Sequence, residues 1–245
     1  MGEKGRAEVN AARPTLAAVV FDFDGVIADT EPLHCKAFAE VLRPLGISLH
    51  WEEYRREFLG FDDRDAFRAI HRQVNRPIAE SEVAALVSAK ADAFEHLAER
   101  EGAPLYPGIE GLIRELKGRI PLALCSGALL RDIRPILARN DLASVFDVMV
   151  TADDVSTSKP DPTSYRLVVQ QLSQRHGGRP LEPEGCVAIE DTPAGIAAAQ
   201  GAGLRVLAVA TTYPAMALGA ADRLADSPSR VTRSLLEQVA RGIVI

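Results

Sequence analysis

Two acids spaced one residue apart, Asp22 and Asp24 in the run FDFDGVIADT (21–30), close an apolar segment, LAAVVF (16–21). A buried strand that ends in Asp-x-Asp-Gly projects carboxylates from its carboxyl end, the edge at which open α/β sheets bind ligands. Gly25 suits a place where backbone has to come close to an anionic ligand. Glu190 and Asp191 end another apolar run, and the hydroxyl of Ser126 follows LALC (122–125), just before Gly127. Lys159 stands in a Ser/Pro-rich loop, STSKPDP (156–162). Together these are the parts that chemistry on a phosphoryl group requires: a nucleophile, a proton carrier, a cation site and donors to anionic oxygens. Each part also has a plainer reading. Asp-Gly pairs serve turn geometry, Ser126 can cap a helix, and a loop lysine can simply be solvated. Glu190–Asp191 can cap the helix PAGIAAAQ (193–200), although Thr192 before Pro193 is the better cap.

The elements that must hold these residues follow from hydrophobic periodicity. Five β-type runs stand at 16–21, 120–125, 146–150, 186–189 and 205–209. Helical stretches such as LLRDIRPILARN, TSYRLVVQQLSQRH and AGIAAAQGAG separate the later ones. Strands alternating with helices imply parallel pairing through right-handed crossovers, hence an α/β, doubly wound, Rossmann-like sheet with helices on both faces. Burial on both faces accounts for the nearly continuous apolar character of the runs. The interval between the first two runs reads as helices instead. PLHCKAFAEVLRPLG has apolar residues at Leu33, Ala37, Val41, Leu42 and Leu45, a helical spacing. DDRDAFRAIHRQV and SEVAALVSAKADAFEHLAER continue it, with Ser81 as the expected N-cap, and Pro104, Pro107 and Gly108 mark the return. The expected organisation is a polar tail over 1–15, a core from 16–30 and 106–245, and an inserted α-helical cap over 31–105.

Composition bounds the function. The 245 residues are 47% hydrophobic and 25% charged, an ordinary globular balance. A net charge of −6 argues against nucleic acid or an anionic membrane as partner. No apolar stretch is long enough to span a bilayer, and MGEKGRAEVNAARPT lacks the apolar centre of a secretory signal. Cys35, Cys125 and Cys186 offer neither a disulfide framework nor metal-ligand spacing, which fits a cytoplasmic protein. The expected partner is a small phosphorylated metabolite, with the chain a monomer or weak homodimer.

Four segments in order, DFDGVIADT, LALCSGA (122–128), STSKPDP and VAIEDTPAGIAAAQGAG (187–203), resemble the four motifs of the haloacid dehalogenase superfamily of phosphotransferases. The nearest likeness is to the branch of β-phosphoglucomutase and the sugar-phosphate phosphatases, over residues 16–231. The resemblance implies that Asp22 attacks phosphorus to give an aspartyl-phosphate, and that Asp24 donates the leaving-group proton and later takes one from water. For that, Asp24 has to stay protonated near neutrality, so its pKa is expected to be raised by desolvation or by Asp22. An all-oxygen cluster suits Mg²⁺. By resemblance, Asp22, the main-chain carbonyl of Asp24 and Asp191 hold the ion, with Glu190 near it. Ser126, Gly127 and Lys159 are then phosphate contacts, with Lys159 also holding Asp22.

The cap residues are expected to set substrate identity. His34 and Lys90 fall where the family places a hinge histidine and a cap lysine. Arg64 falls near the position of a cap arginine that grips a second phosphate in the mutases. There the pattern departs: Leu59 precedes Gly60 where a lysine would stand, and Arg64 comes one residue late. The alternative for Arg64 is a surface ion pair with Asp65, and for His34 a partly buried helix residue. The reading is a Mg²⁺-dependent phosphatase acting on a sugar phosphate. Its alternatives are a phosphosugar mutase and, from a different class, a non-catalytic binding protein on the same fold.

Overall fold

The computed structural model describes residues 15–177 and 180–243. The tail expected over 1–15 lies, except for Thr15, outside them. Among the described residues six parallel strands form one sheet: β1 (Ala18–Phe21), β2 (Leu122–Cys125), β3 (Val148–Val150), β4 (Cys186–Glu190), β5 (Arg205–Val209) and β6 (Arg223–Ala225). Their order is β3-β2-β1-β4-β5-β6. The chain therefore winds outward from β1 in one direction, returns, and winds outward from β4 in the other. The crevice between the carboxyl ends of β1 and β4 is the topological switch point, where such sheets bind ligands.

Alternation along each strand feeds two cores. Val19, Phe21, Leu122, Leu124, Val187 and Ile189 pack with residues of α5 (Ile109–Leu116), α6 (Leu130–Arg139) and α9 (Arg233–Ala240). Val20, Ala123, Cys125 and Ala188 face α7 (Thr163–Arg175) and α8 (Pro193–Gly201). All three cysteines are free and buried. The sixth strand is additional to the five apolar runs. It is three residues at the sheet edge, with Arg223 and Leu224 not buried, so it carries no apolar signal and is defined by its ladder to β5.

Between β1 and β2 the chain forms α1 (Glu31–Leu42), α2 (Trp51–Glu57), α3 (Asp63–Gln73) and α4 (Glu80–Glu101). Phe38, Leu42, Tyr54, Phe67, Ile70 and Val83 give these helices a hydrophobic cluster of their own. The expected stripe on α1 ends at Leu42: Leu45 lies in a following 3₁₀ turn and is 43% exposed. The N-cap of α4 is Ala79 rather than Ser81. The Glu82 carboxylate accepts the Ala79 N–H at 2.9 Å and satisfies a helix-start donor that Ser81 was expected to cover. α4 also packs on α6 of the core, where Arg131 donates to Asp92 Oδ1 and to the Ser88 carbonyl, each at 2.8 Å.

Candidate active site

The register of β1 against β4 brings the first acids together. Phe21 stands opposite Ile189, and the Asp22 N–H continues the ladder by donating to the Ile189 carbonyl at 3.0 Å. The next residues of both strands then leave the sheet side by side. Carboxylate oxygens of Asp22, Glu190 and Asp191 all lie within 4.8 Å of one another. Lys159 reaches into this cluster from its loop. Its Nζ donates to Asp22 Oδ1 and Glu190 Oε1, both at 2.6 Å, and to the Cys125 carbonyl at 3.1 Å. Burial alone would lower its pKa, but Asp22 and Glu190 carry it well above the ordinary lysine value.

Three acids around one lysine leave negative charge in excess. Burial, with Glu190 and Asp24 nearby, pushes Asp22 up to about 8 in spite of Lys159. Burial and the Asp22 and Glu190 charges push Asp191 well up. Asp191 Oδ1 is buried with no hydrogen-bond partner. An orphaned carboxylate oxygen beside two further acids fits a divalent cation with hard oxygen ligands, such as Mg²⁺. Glu190 is differently placed. It is fully buried, takes the Tyr165 hydroxyl at 2.6 Å as well as Lys159, and its second oxygen faces the Asp191 N–H and the Thr192 hydroxyl. Thr192 in turn caps α8 by accepting the Gly195 N–H at 2.9 Å. A Cβ at Gly195 would run into the Glu190 carboxylate, so this glycine makes room for the acid. Gly25 does the same for Asp191: its φ of +76° is left-handed, and a Cβ would collide with the Asp191 carboxylate. The neighbour that requires glycine there is a side chain of the cluster.

Asp24 turns away from the cluster toward α1. Its Oδ1 accepts from the Thr30 hydroxyl and faces His34 Nε2 at 3.3 Å. Burial pushes this carboxyl up, but the His34 hydrogen bond and charge, with Thr30 and Lys90, outweigh it and hold Asp24 below the usual value. The expected upward shift of Asp24 is therefore reversed, because its donors lie on the helical side, away from Asp22. Lys90, fully buried, stands 2.6 Å from His34 Nδ1 and 2.9 Å from Asp63 Oδ1. Asp24, His34, Lys90 and Asp63 thus form one continuous polar chain running from the sheet edge into the helices. His34 is buried, with its ring stacked on Phe94 at 4.4 Å.

One chamber is lined by Asp22, Asp24, His34, Ser126, Lys159 and Asp191, and also by Arg64 and Gly127. Lys90 stands behind it, and neither Glu190 nor Gly25 lines it. Ser126 lies four residues before α6, so it is not that helix's cap; Leu129 is, and Asp153 accepts the Leu130 N–H at 2.8 Å. The Ser126 oxygen accepts the Ala128 N–H at 3.0 Å, which leaves its own proton available. Arg64 pairs with Asp62 at 3.6 Å rather than with Asp65, which Arg68 takes instead. Asp62 caps α3 by accepting the Asp65 N–H at 2.8 Å and also accepts the Ser158 hydroxyl. Among the lining residues that the sequence reading did not single out are Glu31 and Tyr54, whose hydroxyl donates to Glu31 at 2.6 Å. Tyr54 lies on α2, the helix whose pattern went unread; Glu31 sits at the start of α1, where an acid reads as a helix-dipole partner.

Residues 19–209 match the haloacid dehalogenase-like hydrolase family. The chain belongs to that family. It is similar to Protein CbbY of Cereibacter sphaeroides, 33% identical over 219 residues that cover 86% of this chain and 92% of the relative. It is also similar to a phosphorylated carbohydrates phosphatase of Thermotoga maritima, 32% identical, covering 77% of this chain and 82% of the relative. A crystal structure of CbbY from Rhodobacter sphaeroides in complex with xylulose-(1,5)bisphosphate superposes with a TM-score of 0.78 at 31% identity, covering 91% of this chain and 99% of that one. The α/β core is that of the family, and the chain is an enzyme of its phosphoric monoester hydrolase type, in the sugar-phosphate phosphatase branch.

Proposed function

We propose that this hydrolase removes phosphate from a small phosphorylated sugar, with Mg²⁺, through an aspartyl-phosphate on Asp22. The observation that carries the reading is the opposed placement of the two motif acids in one chamber: Asp22 beside Lys159 and Asp191 at the switch point, Asp24 beside His34 facing the helices. Mg²⁺ held by Asp22, the Asp24 carbonyl and Asp191 would neutralise phosphate charge and the repulsion among the acids. Glu190 acts through Lys159, which it orients. Lys159 keeps Asp22 ionised and directed, and with Ser126 and Gly127 it donates to the phosphoryl oxygens. Asp22 attacks phosphorus in line, and the bond from phosphorus to the leaving oxygen breaks as the new bond forms. The proton for that oxygen comes from the His34 imidazolium through Asp24, and it returns to His34 when Asp24 takes a proton from the water that hydrolyses the acyl-phosphate.

Residues 31–105 act as a cap over a core of 16–30 and 106–245, with Arg64, His34 and Lys90 as its contributions to substrate binding. Among the described residues no helix is long and apolar enough to cross a membrane; with three free thiols, we place the enzyme in the cytoplasm. The test is a phosphate-release screen over sugar phosphates, glycolytic acids and nucleotides, with Asp22→Asn as control. Release from sugar phosphates that the control lacks supports the reading. Phosphorus NMR that finds an isomerised monophosphate forming faster than free phosphate replaces it with a mutase.

A further inference from the structure

Beyond the end of β5 stand Thr211, Thr212 and Tyr213, a segment that none of the four motifs includes and that touches both sides of the chamber. The Thr211 hydroxyl donates to the Gly25 carbonyl at 2.6 Å and stands 3.4 Å from Asp191 Oδ2. Thr212 also hydrogen-bonds the Asp191 carboxyl, and its oxygen lies 2.6 Å from where a Cβ on Gly25 would stand. One oxygen of Asp191 is thereby steadied, while Oδ1 is left without a partner, as a ligand to an ion has to be. The turn pinned at Gly25 is the one whose preceding carbonyl, that of Asp24, is the expected main-chain ligand. Tyr213, the next residue, reaches the opposite way. Its hydroxyl donates to the Leu59 carbonyl at 2.9 Å, between α2 and α3, and its ring lies 3.5 Å from the place of a Gly60 Cβ. Residues 60–64, which follow Leu59, all line the chamber. Burial, then the Asp191 and Glu31 charges, hold the phenol above its ordinary value, so it remains a donor at neutral pH. Leu218, fully buried against the sheet, anchors the segment just beyond.

Resting on the Mg²⁺ and cap readings, we propose that Thr211, Thr212 and Tyr213 are positioning residues that couple the seating of the divalent cation to closure of residues 31–105 over the chamber. Successive Cα atoms are a fixed distance of about 3.8 Å apart. A shift at the Asp191 and Gly25 contacts is therefore carried to the phenol with no flexible chain between. An ion on Asp191 fixes that carboxylate and the Gly25 turn, these fix the two hydroxyls, and the hydroxyls fix where Tyr213 meets the Leu59 carbonyl. Linkage makes the effect reciprocal: if the ion favours the closed arrangement, that arrangement binds the ion more tightly by the same factor. The chamber then closes chiefly when its excess negative charge has been met.

The experiment follows hydrogen–deuterium exchange of residues 58–64 in the full-length protein, with and without saturating Mg²⁺, beside calorimetric titration with Mg²⁺ alone. In the unmodified chain Mg²⁺ is expected to slow exchange there by at least about 5-fold, the lower end of such couplings. Tyr213→Phe removes that protection while lowering Mg²⁺ affinity by no more than the same factor. Thr211→Val and Thr212→Val each weaken Mg²⁺ binding by about 10-fold or more, as loss of a partner behind a metal ligand does. Thr211→Ser, which keeps the hydroxyl, restores the affinity. Protection of 58–64 in Tyr213→Phe equal to that in the unmodified chain would overturn the proposal. So would Mg²⁺ binding that leaves exchange of 58–64 unchanged in the unmodified chain, or full Mg²⁺ affinity in both valine variants. Each of these results leaves the Mg²⁺ reading intact. No binding of Mg²⁺ by the unmodified chain would overturn both.

Discussion

On the sheet side of the chamber three carboxylates, Asp22, Glu190 and Asp191, share one lysine, and Asp191 Oδ1 is buried without a partner. On the helical side each acid has its own donor or cation: Asp24 has Thr30 and His34, Asp63 has Lys90, Asp62 has Ser158 and Arg64, and Glu31 has Tyr54. The first arrangement is electrostatically incomplete and calls for a cation from solution. The second is complete by itself and fixes directions. On the proposed mechanism, charge is therefore left open where phosphate and Mg²⁺ would meet, and closed where a proton would be delivered along a set path.

The largest effect that would break this division is expected at Asp22. Asp22→Asn should lower turnover by at least about 10⁵-fold, to background, because no neighbour can replace a covalent nucleophile. Circular dichroism should show an unchanged fold, and a variant retaining a few per cent of activity would remove the mechanism. Next comes the proposed Mg²⁺. Chelation should abolish activity, with Mg²⁺ restoring it and Ca²⁺ not. In thermal melts, Mg²⁺ at 100 times its Kd should stabilise the fold by about 2.7 kcal/mol. Asp191→Asn should cancel that stabilisation; equal Mg²⁺ stabilisation in the variant would move the ion elsewhere. On the complete side, Asp24→Asn should slow esters with poor leaving groups by about 10²–10⁴-fold and nitrophenyl phosphate much less. Equal losses on both would make Asp24 a structural acid.

The smallest effect concerns Asp132, in the first turn of α6, buried with both carboxylate oxygens unpartnered. Burial, against the Lys90 and His34 charges, pushes it from 3.8 up to about 6. An acid whose folded pKa is raised binds more protons in the folded state, so its contribution to stability falls as pH rises from about 4 through about 6. Asp132→Asn should therefore stabilise the protein by roughly 1–3 kcal/mol above pH 6 and by almost nothing below pH 4. Denaturant melts at the two pH values check it, and a gain of equal size at both would point to packing rather than charge.

The parts of the chain readable in advance are those whose function is tied to a strand end. The apolar runs before Asp22, Ser126 and Asp191 locate the edge of a parallel sheet, and burial on both faces makes those runs conspicuous. The sixth strand was illegible because an edge strand of Arg-Leu-Ala is held by its ladder rather than by hydrophobicity. The helical wall is legible as helices, and the resemblance names His34, Arg64 and Lys90 on it, but not the contacts these residues make. Which way Asp24 titrates depends on Thr30 and His34, one turn or more along the chain, and on Lys90, 56 residues beyond His34. Such contacts are set by how α1, α3 and α4 cross, which periodicity does not encode. Arg64 shows the same limit, since its partner is Asp62 across the helix start rather than the adjacent Asp65.

Asp62 carries a further consequence, for how freely this sequence can drift. One oxygen begins α3 by taking the Asp65 N–H, and the other takes the Ser158 hydroxyl from the loop of Lys159 and pairs with Arg64. Asparagine would keep the helix start and release the arginine, serine would keep the helix start alone, and glutamate would be too long to cap. A change here is therefore felt at once by a helix terminus, a cation and the neighbouring loop. Mutational tolerance at this one turn should be as narrow as at the buried acids, although Asp62 takes no step in the proposed reaction.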